Sequence, residues 1–104
     1  MPIMITKDPG FFRVEFNGRL DTLGSNSVEQ EINNAFTEID NTDLPELKII
    51  FDLAKVDFVS SAFMRVCLKY AKKVAQGNME LINTDLKIKK TFKIAGLDKV
   101  LKII

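Results

Sequence analysis

Histidine is absent from the 104 residues, which removes the side chain most often used for proton transfer near neutral pH and the commonest metal ligand. A Ser-His or Cys-His nucleophile is excluded. Glu, Asp and Lys remain as acid–base groups, but no pair of carboxylates stands out in a glycine-rich setting. The single cysteine, Cys67, cannot form an internal disulfide and belongs to no zinc or redox motif, which favours a reducing compartment. Nowhere do about 18 apolar residues run together, and Met1-Pro2-Ile3-Met4 carries no basic stretch leading into a long apolar one. Neither membrane insertion nor export is expected, and the expected location is the cytoplasm. No phosphate-cradling glycine loop is seen, and no cofactor or metal is expected.

What is present suffices for one packed core: 46% of the chain is hydrophobic, and residues 1–104 are expected to form a single domain. The net charge of +1 hides an asymmetry. Residues 1–52 carry four basic and ten acidic side chains, net −6, while residues 53–104 carry eleven and four, net +7. Such an uneven field can orient a charged partner. The lysines at 69, 72, 73, 87, 89, 90 and 93 read as the solvated faces of two helices. Aromatics that would stack on bases are not interleaved with them, so no nucleic acid is expected, while an acidic protein or a membrane surface stays open.

Ile3-Met4-Ile5, a turn at Asp8-Pro9-Gly10, and Phe12, Val14 and Phe16 alternating with polar residues predict a β-hairpin. A polar loop follows Gly18-Arg19-Leu20-Asp21, and Ser27 with Gln30 has the form of a capping box opening a helix. Val28, Ile32, Ala35, Phe36 and Ile39 recur at helical spacing, with an end near Asp40-Asn41. Leu47 to Leu53 is a nearly continuous apolar run, as suits a central strand buried on both faces, and Val56 to Val59 continues it in extended form. From Ser60-Ser61 a second helix carries Phe63, Val66, Cys67, Tyr70 and Val74 on one side, stopping at Gln76-Gly77-Asn78. Met79 to Ile82 is a short strand, and Asn83-Thr84-Asp85 offers caps for a third helix carrying Leu86, Ile88, Phe92 and Ala95. Gly96 would stop it, leaving Leu97 to Ile104 for a helical turn and an edge strand. The order gives an α/β sandwich: a mixed, mostly parallel sheet of four to five strands with three to four helices packed against it.

The junction Phe58-Val59-Ser60-Ser61-Ala62 places two hydroxyls where a strand ends and a helix begins. Serine is a preferred N-cap, and capping alone accounts for one of them. The other reading is a phosphoserine: the exposed N–H groups and dipole of a helix start tolerate negative charge, and a phosphate adds about −1.5 to −2 charges to the surface.

Phe58-Val59-Ser60-Ser61-Ala62-Phe63-Met64-Arg65-Val66 resembles the STAS family, in which an apolar pair precedes Asp-Ser-Ser-Gly-Leu or Ser-Ser-Ala-Gly-Leu-Arg-Val. Asn17-Gly18-Arg19-Leu20-Asp21-Thr22, Ile49-Ile50-Phe51-Asp52-Leu53 with Val56, Asn83-Thr84 and Ala95-Gly96-Leu97-Asp98-Lys99-Val100 extend the likeness over nearly the whole chain. The resemblance implies an anti-sigma factor antagonist, not an enzyme: a binding module that captures an anti-sigma factor which is also a serine kinase and is released by phosphorylation, with a phosphatase as a further partner. It implies Ser61 as phosphoacceptor, Ser60 where many members have Asp, and Asp21 as the acidic turn residue near the acceptor. Asp21, Thr22, Ser60, Ser61, Ala62, Phe63, Met64 and Arg65 are the expected partner-binding residues. The family's glycine is Phe63 here and its following leucine is Met64, so Phe63 either joins the apolar stripe of the helix or stands out as an aromatic anchor. The alternative is an unphosphorylated STAS interaction subunit of a transporter ATPase or other signalling complex, in which Phe63 would be that anchor.

Overall fold

The computed structural model describes residues 3–104; Met1 and Pro2, where the leader-free start was read, lie outside them. Strands β1 (Ile3–Asp8) and β2 (Phe11–Leu20) form the expected hairpin around Pro9-Gly10, with Gly10 at φ 94°. Helix α1 (Thr22–Phe36) leads through a short 3-10 turn (Asn41–Glu46) into β3 (Lys48–Val59). Helix α2 (Ser61–Ala71), β4 (Met79–Ile82), α3 (Leu86–Ile94), a 3-10 turn (Leu97–Lys99) and β5 (Lys102–Ile103) complete the order. The sheet runs β1-β2-β3-β4-β5, with only β1 antiparallel.

Each crossover, β2-α1-β3, β3-α2-β4 and β4-α3-β5, steps one strand in the same direction. Right-handed crossovers that all step one way put every helix on the same side of the sheet. The central strand, expected to be covered on both faces, is therefore covered by helices on one only. Ile49, Phe51 and Leu53 point into the core, while Ile50 is half-buried on the open face. Asp52, on that face, is buried by polar partners instead: Arg13 Nη2 at 2.6 Å, Asn83 Nδ2 at 3.1 Å and the Ala54 N–H at 3.0 Å. Satisfying its lone pairs this way is what makes a buried carboxylate tolerable.

The core lies between the sheet and α1 to α3, and aromatic rings organise it. Phe63 is wholly buried, edge-on to Phe16 with ring centroids 5.1 Å apart and 6.2 Å from Phe51. It belongs to the apolar stripe of α2, and the exposed-anchor reading is corrected: a side chain facing the sheet from position 63 cannot reach a partner. On the same stripe, Tyr70 packs edge-on against Phe36 at 5.1 Å, and burial pushes the thiol of Cys67 well above its ordinary pKa.

Four boundaries differ from expectation. Helix α1 ends at Phe36, short of Asp40-Asn41, and α2 ends at Ala71, short of Val74 and of Gln76-Gly77-Asn78; in each case a bond three residues back, Ile39 N–H to the Phe36 carbonyl and Lys73 N–H to the Tyr70 carbonyl, tightens the chain into a turn. Helix α1 begins five residues before Ser27, because the Asp21 carboxylate accepts from the Gly24 N–H at 2.8 Å and opens the helix there. The segment looked like a loop because Leu23, its one large apolar residue, is exposed, and its inward residue is the polar Ser25. Gly24 fits this start, since a Cβ there would lie 3.1 Å from Asp21 Oδ1 and 3.2 Å from the Arg19 carbonyl. Strand β2, whose alternation is predicted only to Phe16, runs on through Gly18 to Leu20, with Gly18 at φ 91° where the pairing with β3 shifts register. A bulge of this kind needs a residue that accepts positive φ.

Truncating Phe63 to Ala opens a cavity against Phe16 and Phe51. Urea denaturation is expected to show a loss of about 3–5 kcal/mol with an unchanged m-value. The only tyrosine reports a second property. Burial first, and the charge of Glu29 second, push the Tyr70 phenol up to about 12. The folded chain holds this proton longer than the unfolded chain, whose phenol titrates near 10. The stability so conferred is fully present below about pH 10 and is lost as pH rises toward 12. Tyrosinate absorption of the native protein should accordingly appear only near pH 12, and Tyr70→Phe should flatten the alkaline limb of the stability curve.

Candidate functional site

Parallel strands joined by helices leave the N-termini of the helices at the carboxyl edge of the sheet, and there β2 and β3 deliver α1 and α2 side by side. Four hydrogen bonds join the two starts. The Leu20 carbonyl accepts from the Ser60 N–H at 2.9 Å and from the hydroxyl of the fully buried Ser25 at 3.2 Å. Ser25 Oγ lies 3.3 Å from Ser60 Oγ, and the Phe63 N–H donates to Ser60 Oγ at 3.3 Å. Since the one proton of Ser25 goes to Leu20, Ser60 is the donor to Ser25. The bonds therefore run in one direction, Phe63 N–H to Ser60 to Ser25 to the Leu20 carbonyl, and the Ser60 N–H closes the ring.

This arrangement separates two hydroxyls that are adjacent in sequence. Ser60 is the N-cap of α2, with extended backbone (φ −103°, ψ 169°), and is half-buried. Ser61 is the first helical residue and is exposed. Of the two hydroxyls the first holds the cap, because only the residue before the helix can turn its side chain back onto the N–H three residues on. Ser61 is left with its hydroxyl in solvent at the positive end of α2, whose first turn carries no acidic residue.

The other expected residues divide by the geometry of α2. Arg65, four residues beyond Ser61, is exposed on the same helix face, and Met64 is half-buried. Ala62 and Phe63 face the sheet and are buried. Asp21 and Thr22 are exposed at the start of α1, one and two residues past the Leu20 carbonyl that holds Ser60. Three features were not read from the sequence. Ser25 bridges the helices from a position where a polar residue replaces the apolar stripe. Arg19 lies over the Phe58 ring, 4.1 Å from its centroid, on the exposed ends of β2 and β3. Leu23 projects from the first turn of α1 with 82% of its surface exposed. The parallel register that pairs Arg19 with Phe58 was the signal for the second, but it required knowing the bulge at Gly18.

Among the described residues no cluster of three or more His, Cys, Asp or Glu could hold a metal ion, and no helix is long and apolar enough to cross a membrane.

An α/β layer whose strand-to-helix junction presents a hydroxyl pair defines the class. The chain belongs to the STAS domain family, which matches residues 2–104. BtrV of Bordetella bronchiseptica, named as an anti-sigma factor antagonist, is 28% identical over 98 residues, covering 92% of this chain and 79% of BtrV. A Thermotoga maritima protein, described as an anti-sigma factor antagonist, has a crystal structure similar at TM-score 0.79 with 15% identity, over 97% of this chain and 84% of that one. The Bacillus cell fate determinant SpoIIAA in its phosphorylated form is similar at TM-score 0.65 with 14% identity, over 98% of this chain and 90% of that one. At such identities the two structures establish the shared fold.

The division of labour between the two serines is directly measurable. Ser60→Ala removes a cap and leaves Ser25 without its donor, and should lower unfolding free energy by about 1–2 kcal/mol. Ser61→Ala should stay within about 0.5 kcal/mol of the parent chain in the same denaturation experiment.

Proposed function

We propose that residues 1–104 form a single STAS domain that acts as a non-enzymatic partner switch, capturing an anti-sigma factor that is also a serine kinase and releasing it once Ser61 is phosphorylated. The observation that carries this reading is the separation of the two serines. The hydroxyl of Ser60 is committed to the ring that joins α1 to α2, whereas that of Ser61 has no hydrogen-bond partner among the described residues and faces solvent. A phosphate on Ser61 adds about −1.5 to −2 charges where the helix dipole favours them, so it changes the surface without unfolding its support.

The departure of Phe63 from the family glycine does not oppose this. Its ring lies in the core, so the approach to Ser61 is as open as a smaller residue would leave it. The name of BtrV and the phosphorylated form of SpoIIAA support the same reading. The partner surface proposed here is Asp21, Thr22, Ser61 and Arg65, with the half-buried Ser60 and Met64 at its margin. Ala62 and Phe63 drop out because they face the sheet. The alternative, an unphosphorylated subunit of a transporter ATPase, relied on Phe63 as an exposed anchor, and the burial of that residue removes its support.

Incubation with the serine kinases of the source organism, followed by mass-spectrometric mapping, should place phosphate on Ser61 and none on Ser60. Ser61→Asp should weaken capture of the anti-sigma factor at least tenfold while Ser61→Ala leaves it intact. Modification confined to other residues, or equal binding by both variants, would remove Ser61 from the mechanism.

A further inference from the structure

Helix α3 spends nine residues, Leu-Lys-Ile-Lys-Lys-Thr-Phe-Lys-Ile, on four lysines and no acid. Ile88 and Phe92 bury one side of it against the sheet. The opposite side carries Leu86, Lys90 and Ile94 at four-residue intervals, flanked by Lys87 and Lys93. Leu86 and Ile94 are 80% and 78% exposed, among the most exposed large apolar residues of the domain.

Both features are unfavourable in water. Lys87 with Lys90, Lys90 with Lys93, and Lys89 with Lys93 are like-charge pairs at three and four residues' separation, which oppose the helix. Lys87 also sits in the first turn, where the dipole disfavours a cation. Elsewhere some basic side chains are answered by acids: Lys7 by Glu38, Arg13 by Asp52, Lys69 by Glu29 and Lys102 by Glu80. Among the described residues none of the four α3 lysines has an ion pair, and they supply four of the eleven basic side chains of residues 53–104.

We propose that the outer face of α3 docks on an anionic lipid membrane, its axis parallel to the surface, with Leu86 and Ile94 entering the acyl boundary and Lys87, Lys90 and Lys93 meeting the headgroups. One partner then relieves both the charge repulsion and the exposed apolar surface. The shape favours lipid over an acidic protein. The outer face of a helix about 13 Å long is a convex ridge, far smaller than the roughly 800 Å² per partner of a stable protein interface. Two aliphatic side chains standing off a convex ridge suit shallow insertion. The contact is peripheral and reversible, and it is independent of the phosphorylation proposed at Ser61.

Co-sedimentation of the full chain with vesicles tests it. Vesicles of phosphatidylglycerol and phosphatidylcholine in equal parts should bind the protein, phosphatidylcholine alone should not, and added salt should weaken the binding. Lys90→Gln with Lys93→Gln should lower the partition about 25-fold, from roughly fivefold per lysine. Leu86→Ser with Ile94→Ser should lower it at least tenfold. All four residues point away from the core, so circular dichroism of the variants should match the parent. Absence of sedimentation with anionic vesicles, or sedimentation unchanged by both double variants, overturns the proposal. Binding to soluble polyglutamate as tight as to vesicles, with no dependence on Leu86 and Ile94, would assign the face to an acidic protein instead and equally overturn it.

Discussion

The carbonyl oxygen of Leu20 is where two crossovers are tied together. Two donors converge on it, the Ser60 N–H at 2.9 Å and the Ser25 hydroxyl at 3.2 Å, and through them the end of β2, the first turn of α1 and the first turn of α2 become one unit. Helix starts carry N–H groups with no intrahelical acceptor, and a junction of two of them beside a strand end is costly unless such groups are answered. Here the answer is two serines and an aspartate: Asp21 for Gly24, Ser60 for Phe63, and Ser25 between them. The exposed character of Ser61 follows. With Ser60 holding the cap, the next residue enters the helix at a position whose side chain points away from the sheet.

The core reinforces this arrangement from below. Phe63 follows Ser60 by three residues, so the N–H that Ser60 caps belongs to the residue whose ring is locked against Phe16 and Phe51. Backbone capping and side-chain packing thus fix the same turn of α2 by independent means. The bulge at Gly18 contributes by redirecting the last residues of β2, bringing Arg19 beside Phe58 and the Leu20 carbonyl beside Ser60.

Much of this fold was legible in the sequence, and what was not has a common cause. The hairpin, the central strand, α2, α3 with its stop at Gly96, and the closing edge strand were carried by apolar periodicity and turn residues, signals that depend on neighbours within a few positions. The start of α1 was not, because its inward residue is a serine whose burial is compensated by Leu20 and Ser60, the latter 35 residues away in sequence. The open face of β3 was missed for a similar reason. An apolar run reads as two covered faces, whereas crossover handedness, which the run does not encode, leaves one uncovered. At the site, the Ser60-Ser61 pair marked the place, but which serine caps and which is free depends on the backbone angle at 60. The choice of Phe63 between core and surface was decided by Phe16 and Phe51, on strands distant in the chain.

The same geometry determines what a charge at Ser61 would do. The hydroxyl ring is one residue away yet does not include Ser61, so a phosphate there does not compete for the bonds that join α1 to α2. The local field is favourable: the start of α2 supplies partial positive charge, and Arg65 lies one turn on along the same face. A modification that is stabilised where it sits and breaks no internal bond has little leverage on the fold. Its leverage would be on whatever approaches the exposed helix starts that carry Asp21, Thr22 and Ser61, where added negative charge repels an acidic contact and makes an apolar one costly to desolvate. Control by phosphate at Ser61, as proposed, would therefore be control of docking by surface charge, and the rigidity of the junction beneath it would keep the two effects apart.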